Sequence, residues 1–197
     1  NDIGAAGQKS AYLYDGNGNL KSSIDPLTRT TALNYDALNR LLNATDATGG
    51  VTRYGYDAKD RLISVQDPIN LTTTYTYDGL GNLTLLASPD TGVATYVPDA
   101  AGNVVGATDA RGMATSYVYD ALNRQTLATF AGGSVAFEYD STATGDAFAG
   151  GRLTRVTDPS GSTTYAYDAW GRVLRKTQAV GSDAPTRSFA VSYQHAA

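Results

Sequence analysis

The chain has 197 residues and no cysteine, which excludes a disulfide framework and any thiolate metal site. Its 15 Lys and Arg against 19 Asp and Glu give a net charge of −4, without the basic excess that grips a phosphate backbone, so nucleic acid is not an expected partner. No apolar run approaches the roughly 20 residues of a membrane span. The start, Asn1-Asp2-Ile3-Gly4, has neither a Met nor a signal-peptide core. It reads as an internal piece of something longer or as a processed product.

Fourteen tyrosines stand against one Trp and one Met, and their positions organise the chain. The first predicted strand, Ala11 to Asp15, ends in Tyr14-Asp15. The pair recurs as Tyr35-Asp36, Tyr56-Asp57 and Tyr77-Asp78, then as Pro98-Asp99, Tyr119-Asp120, Tyr139-Asp140 and Tyr167-Asp168, and fades at Tyr193-Gln194. The first five steps are 21 residues and the later ones 20, 28 and 26. Such a fixed period is the mark of a repeat architecture. Two residues before each pair lies a second slot, filled by Tyr12, Leu33, Tyr54, Tyr75, Tyr96, Tyr117, Phe137, Tyr165 and Val191. A spacing of two places both slots on one face of a strand.

Counting the Asp as first, the fourth position is Gly18, Asn39, Asp60, Gly81, Gly102, Asn123 or Gly171. These are residue types that tolerate a left-handed backbone. The pattern predicts a type I turn closed by a left-handed residue, with the Asp carboxylate accepting from backbone N–H groups beyond it. A second strand then opens at Leu20, Leu41, Leu62, Leu83, Val104 or Val173. It ends in a second turn such as Asp25-Pro26, Asp46-Ala47-Thr48-Gly49, Asp67-Pro68, Asp109-Ala110-Arg111-Gly112 or Asp158-Pro159-Ser160-Gly161. Short turns between short strands require antiparallel pairing. The expected fold is therefore all-β, a repetitive antiparallel hairpin strip that coils into part of a shell or spiral sheet. Residues 1–197 form a single array of about nine units, irregular after 139. Arg40, Arg61, Asn82, Arg124 and Arg172, the turn Asp residues and backbone groups are candidate partners for the phenol oxygens.

Three units depart from the pattern. Pro98 occupies a Tyr slot, which costs a ladder hydrogen bond or marks a bulge. After Asp140 the turn expands to a small, Gly-rich loop ending at Gly151, and a further insertion, Gly181 to Pro185, precedes the last strand. Both read as tolerated surface insertions.

Candidate chemistry is sparse. His195, the single histidine, has no recurrent partner. The Asp residues are copies of one turn element, whereas a glycosidase needs a unique carboxylate pair. Asp15-Gly16-Asn17-Gly18-Asn19 resembles the front of a calcium loop, but Pro26 stands where a bidentate Glu would be needed. Gly16-Asn17-Gly18 and Gly132-Gly133 lack the strand–helix context of a nucleotide loop. Asn43, Asn70 and Asn82 open glycosylation-type triplets of the kind a Thr-rich chain produces by chance. Trp170 replaces a small or aliphatic residue in one turn and packs over that turn or against a neighbouring strand, with sugar stacking as the alternative. No catalytic, cofactor or metal residue is assigned, no cofactor is expected and an enzyme is the least expected class. The residues singled out are structural: Tyr14, Asp15, Tyr35, Asp36, Tyr56, Asp57, Tyr77, Asp78, Tyr119, Asp120, Tyr139, Asp140, Tyr167 and Asp168.

The segments Tyr35-Asp36-Ala37-Leu38-Asn39-Arg40-Leu41, Tyr56-Asp57-Ala58-Lys59-Asp60-Arg61-Leu62 and Tyr77-Asp78-Gly79-Leu80-Gly81-Asn82-Leu83 resemble the Rhs/YD repeat. In bacterial Rhs proteins, insecticidal toxin complexes and animal teneurins such repeats build a spiralling β-sheet wall around a hollow shell. The resemblance implies a structural shell segment of a secreted or surface-exposed bacterial protein, with the rest of a longer parent chain as partner and an enclosed C-terminal toxin as possible cargo. It does not extend to self-cleavage, because Asp158-Pro159-Ser160-Gly161 is followed by Ser162 and belongs to an ordinary second turn. Two other readings stay open. One is a filament or scaffold that self-associates through its sheet edges, at Ala11–Asp15 and Ser188–Tyr193. The other is a carbohydrate-binding repeat module, which needs exposed tyrosines.

Overall fold

The computed structural model describes residues 2–3, 8–142, 148–181 and 187–194. His195, the Gly-rich centre of the expanded turn and most of the second insertion lie outside the described residues. Every regular element among them is a β-strand. Contacts divide the chain into two compact units, Asn1–Thr95 and Tyr96–Ala197.

In the first unit β1 (Asp2–Ile3) pairs antiparallel with β2 (Lys9–Tyr14). An up-and-down meander then runs through β3 (Leu20–Ile24), β4 (Thr30–Tyr35), β5 (Leu41–Thr45), β6 (Val51–Tyr56), β7 (Leu62–Gln66), β8 (Thr72–Tyr77) and β9 (Leu83–Ser88). The start of β10 (Gly92–Pro98) pairs with β9. In the second unit β11 (Val104–Thr108), β12 (Ala114–Tyr119), β13 (Gln125–Phe130) and β14 (Gly133–Tyr139) follow one another in the same manner. They continue into β15 (Leu153–Asp158), β16 (Gly161–Tyr167), β17 (Val173–Val180) and β18 (Arg187–Ser192). The predicted second-strand starts at Leu20, Leu41, Leu62, Leu83, Val104 and Val173 are the observed ones. The expected antiparallel hairpin pattern therefore holds within each unit.

Register sorts the side chains into two faces, because successive residues of a strand point to opposite sides. In the first unit the pairs Tyr12↔Ser23, Leu33↔Ala44, Tyr54↔Val65 and Tyr75↔Leu86 carry the aromatic slots. The intervening pairs Asn34↔Asn43, Arg53↔Gln66 and Ser64↔Thr74 build a polar face. There the Asn34 amide donates to Asn43 Oδ1 at 2.8 Å and Arg53 Nη1 to Gln66 Oε1 at 3.3 Å. The second unit repeats the division, with Tyr117↔Ala128 and Phe137↔Val156 on one face and Glu138↔Arg155 on the other. A single layer has nothing to bury its apolar face against. Accordingly only Ala149, Thr154 and Asp168 are buried among the described residues. Cohesion must come from what each unit does to its neighbours.

Candidate functional site: the tyrosine–aspartate turn

The turn that follows each strand-ending tyrosine is built around its Asp. The N–H of the fourth residue donates to the Asp carbonyl, and the Asp N–H donates to the carbonyl of the fifth, as in Asn39 to Asp36 (3.0 Å) and Asp36 to Arg40 (2.9 Å). The fourth residue is left-handed throughout: Gly18, Asn39, Asp60, Gly81, Gly102, Asn123 and Gly171 have φ between 59° and 95°, as the residue types predict. The carboxylate then closes the turn. Asp36 Oδ1 accepts from the N–H groups of Leu38 and Arg40, both at 2.9 Å. Asp15, Asp57, Asp78, Asp99, Asp120 and Asp168 do the same. These bonds favour the ionised carboxylate. The Asn19 amide holds the Asp15 carboxyl below its usual range, and the Arg40 and Arg124 backbone N–H groups do so first for Asp36 and Asp120. The same motif recurs at the second turns of Asp25, Asp46, Asp67 and Asp109.

The other carboxylate oxygen holds the side chain of the fifth residue. Asp36 Oδ2 takes Arg40 Nε at 2.7 Å, Asp57 takes Arg61 at 2.7 Å, Asp120 takes Arg124 at 2.7 Å and Asp168 takes Arg172 at 2.6 Å. So anchored, the guanidinium reaches the tyrosine of the next unit. Arg40 lies 4.8 Å from the Tyr56 ring centroid, Arg61 4.8 Å from Tyr77 and Arg124 4.4 Å from Tyr139. A planar cation over an aromatic face is attracted by the ring quadrupole.

The phenol oxygens find the backbone. Tyr35 donates to the Leu20 carbonyl at 3.0 Å, Tyr56 to Leu41 at 3.0 Å, Tyr77 to Leu62 at 2.8 Å and Tyr119 to Val104 at 3.0 Å. Tyr139 and Tyr167 reach the carbonyls of Gln125 and Leu153 in the shorter frame. Each acceptor is the first residue of the preceding unit's second strand. Of the three phenol partners proposed from sequence, the backbone group receives the bond, while Arg contacts the ring and Asp stays in its own turn. Tyr14 has no described unit before it and is 57% exposed, whereas the later strand-ending tyrosines are half-buried. The tyrosines are thus neither uniformly buried nor displayed as an open platform.

Two features escape sequence reasoning. The strand register shifts by one residue before each strand-ending tyrosine, for instance between Val118 and Tyr119. Thr84 and Thr126 donate to the carbonyls of Thr76 and Val118 there (3.2 Å each), and buried Thr154 donates to Glu138 at 3.0 Å. The expanded turn after Asp140 also returns to the standard closure: Asp140 N–H donates to the Arg152 carbonyl and Arg152 lies 5.7 Å from Tyr167, so Arg152 fills the fifth position despite the insertion. Trp170 is 78% exposed with Arg172 stacked at 5.0 Å, so its contact is with its own turn. Pro98 ends β10. No group of His, Asp or Glu among the described residues is placed to hold a metal ion. No helix among them is long and apolar enough to cross a membrane.

No curated protein matches the chain significantly. Among solved structures it is similar to TcdB2-TccC3-Cdc42, with 15% identity and a TM-score of 0.45 over 93% of this chain and 14% of that one. It is similar to the Photorhabdus luminescens Tc holotoxin pore at 16% identity and a TM-score of 0.44, again over 93% and 14%. It is also similar to a porin-like protein from Bacteroides uniformis, at 14% identity and a TM-score of 0.29 over 92% of each chain. The chain therefore spans 14% of the length of the toxin-complex chains it matches. The family model described as Teneurin YD-shell matches residues 1–178, nearly the whole repeat array. With its all-β hairpin units and tyrosine–aspartate turns, the chain belongs to the YD-shell family.

Proposed function

We propose that this chain is a stretch of the wall of a hollow β-sheet shell, and that its role is structural rather than catalytic. The observation that carries this reading is the coupling between consecutive units: Tyr35, Tyr56, Tyr77, Tyr119, Tyr139 and Tyr167 bond back to the preceding unit's second strand, four of them beneath an Arg of that unit, while few described residues are buried. Such a construction is suited to an extended wall. Membership of the YD-shell family supports the same reading. We further infer that residues 1–197 act as one array within a longer, secreted or surface-exposed bacterial Rhs-type chain, whose remainder completes the shell around a C-terminal toxin. The 14 structural-repeat residues, from Tyr14-Asp15 to Tyr167-Asp168, serve as its recurring fasteners.

Electron microscopy of the protein from its native source, with the intact mass measured alongside, tests this. Closed hollow particles built on a much longer chain are expected. Extended fibres would overturn the shell reading. They would favour self-assembly through edge strands, a second reading motivated by β18, which is exposed along its whole length and pairs only with β17 among the described strands.

A further inference from the structure

The fifth residue of each tyrosine–aspartate turn does more than serve its own Asp. Asn19 Nδ2 donates to Asp15 Oδ2 at 3.0 Å and also to Asn39 Oδ1, the left-handed residue of the next such turn, at 2.8 Å. Asn103 repeats this with Asp99 (3.1 Å) and Asn123 (2.9 Å). Arg40 bridges Asp36 at 2.7 Å and Asp60 at 2.6 Å. Arg124 also bridges two carboxylates, Asp120 and Asp140 at 2.7 Å each, although Asp140 is the first residue of its own turn rather than the fourth. The pairs are matched in charge: neutral bridges meet neutral acceptors, and cationic bridges meet carboxylates.

Electrostatics gives the reason. A neutral amide facing two carboxylates, its own turn's and the next one's, has an N–H for each but no charge to offset their repulsion; Asn17 Nδ2, which also donates to Asn39 Oδ1 at 2.9 Å, is equally neutral. A guanidinium neutralises both and has donors for each. Where the acceptor position is Gly only the contact to the next turn's Asp carbonyl remains, the one that Arg40 also makes to Asp57 at 3.3 Å. Arg61 Nη1 donates to the Asp78 carbonyl at 3.0 Å. A Cβ on Gly171 would run into the Arg152 guanidinium. The left-handed slot is therefore chosen twice, once by backbone conformation and once by the neighbouring turn.

We propose that the fifth residue of one turn and the fourth residue of the next form a charge-matched pairing code that stabilises matched consecutive units and so holds their register against one another. The partner it recognises is another YD unit. An Asn bridge takes an Asn turn, and an Arg bridge takes an Asp or Gly turn. The code rests on contacts between consecutive turns and holds whether or not the assembled array encloses anything, so it is separable from the shell reading.

Substitution in the full chain tests it. Asn39→Asp is neutral for the backbone, because Asn39 and Asp60 share a φ of 62°. It places a carboxylate opposite Asn19, and the thermal midpoint is expected to fall by about 2–4 °C. Adding Asn19→Arg in the same chain converts the pair to the Arg–Asp type and is expected to restore the midpoint to the parent value or above. The same pair of changes at Asn103 and Asn123 gives an independent copy in the second unit. Strong non-additivity with rescue at both sites supports the code. An Asn39→Asp variant as stable as the parent, or double variants whose effects simply add, would overturn it.

Discussion

Arg40 and Tyr56 belong to different repeat units, yet the guanidinium of one lies 4.8 Å from the ring centroid of the other. The Tyr56 hydroxyl in turn donates to the carbonyl of Leu41, the residue after Arg40. Ring face and ring oxygen are thus both claimed by the preceding unit.

Replacing Tyr56 by Phe keeps the ring and removes only the donor. The Leu41 carbonyl then loses its phenol partner in a half-buried position, at a cost of about 1 kcal/mol. The thermal midpoint, followed by circular dichroism, should fall by about 2–4 °C. Tyr56→Ala should fall further, because the ring contact goes as well. An unchanged midpoint in the Ala variant would contradict the role given to the strand-ending tyrosines.

Thr154 is the clearest buried polar side chain, 1% exposed and donating to the Glu138 carbonyl at 3.0 Å. Thr154→Val preserves its shape and strands that carbonyl, which should destabilise by about 1–2 kcal/mol and lower the midpoint by about 2–8 °C. Thr126→Val, at a more exposed copy of the same bond, should cost less.

Arg61 is held by Asp57, donates to the Asp78 carbonyl and lies over Tyr77. Lysine offers a single ammonium without the planar fork, so Arg61→Lys should lower the midpoint by a few degrees. Arg61→Ala should lower it more. In a double-mutant cycle, Arg61→Ala and Tyr77→Ala should cost less together than the sum of the single variants, since each removes the other's partner.

Acid should loosen the array. The side-chain amides of Asn19, Asn82 and Asn103 hold the Asp15, Asp78 and Asp99 carboxyls below the ordinary range in the folded state. At Asp25 the leading cause is the Arg29 side chain. A depressed folded pKa gives stability that is fully present above the unfolded value of about 3.9 and is lost as pH falls through the folded value. The midpoint should therefore hold steady from neutral pH to about pH 5 and drop below about pH 4. A titration with no loss of midpoint at low pH would show that these bonds do not contribute to stability.

The sequence disclosed the units because strand alternation and left-handed turn positions restrict residue type directly. Gly18, Asn39, Asp60 and Gly171 could be read as one slot since few other residues tolerate it. Thr28, with φ 63°, could not, because its conformation is imposed by Asp25. That residue accepts the Thr28 N–H on its carbonyl and the Leu27 and Arg29 N–H groups on its carboxylate. Backbone groups stood among the candidate partners of the phenol oxygens, but which carbonyl accepts was hidden, since a backbone carbonyl leaves no trace in residue identity. Nor could composition show why Asn39 and Asp60 differ from Gly171, a choice made by side chains of the preceding turn. The return of the expanded loop at Arg152 follows from hydrogen bonds across an interval whose length the period does not constrain.

The tyrosine bonds all point one way along the chain. Tyr35 bonds back to Leu20 and Tyr56 to Leu41, each 15 residues upstream, and Arg40 waits for a tyrosine made later. During translation each newly emerged unit finds its docking partner already finished. Ribosomes add about 5–20 residues per second, whereas a hairpin closes in about 1–10 μs. Within each compact unit the repeats can therefore be laid down like a zip drawn from the N-terminal side, each tooth set before the next arrives.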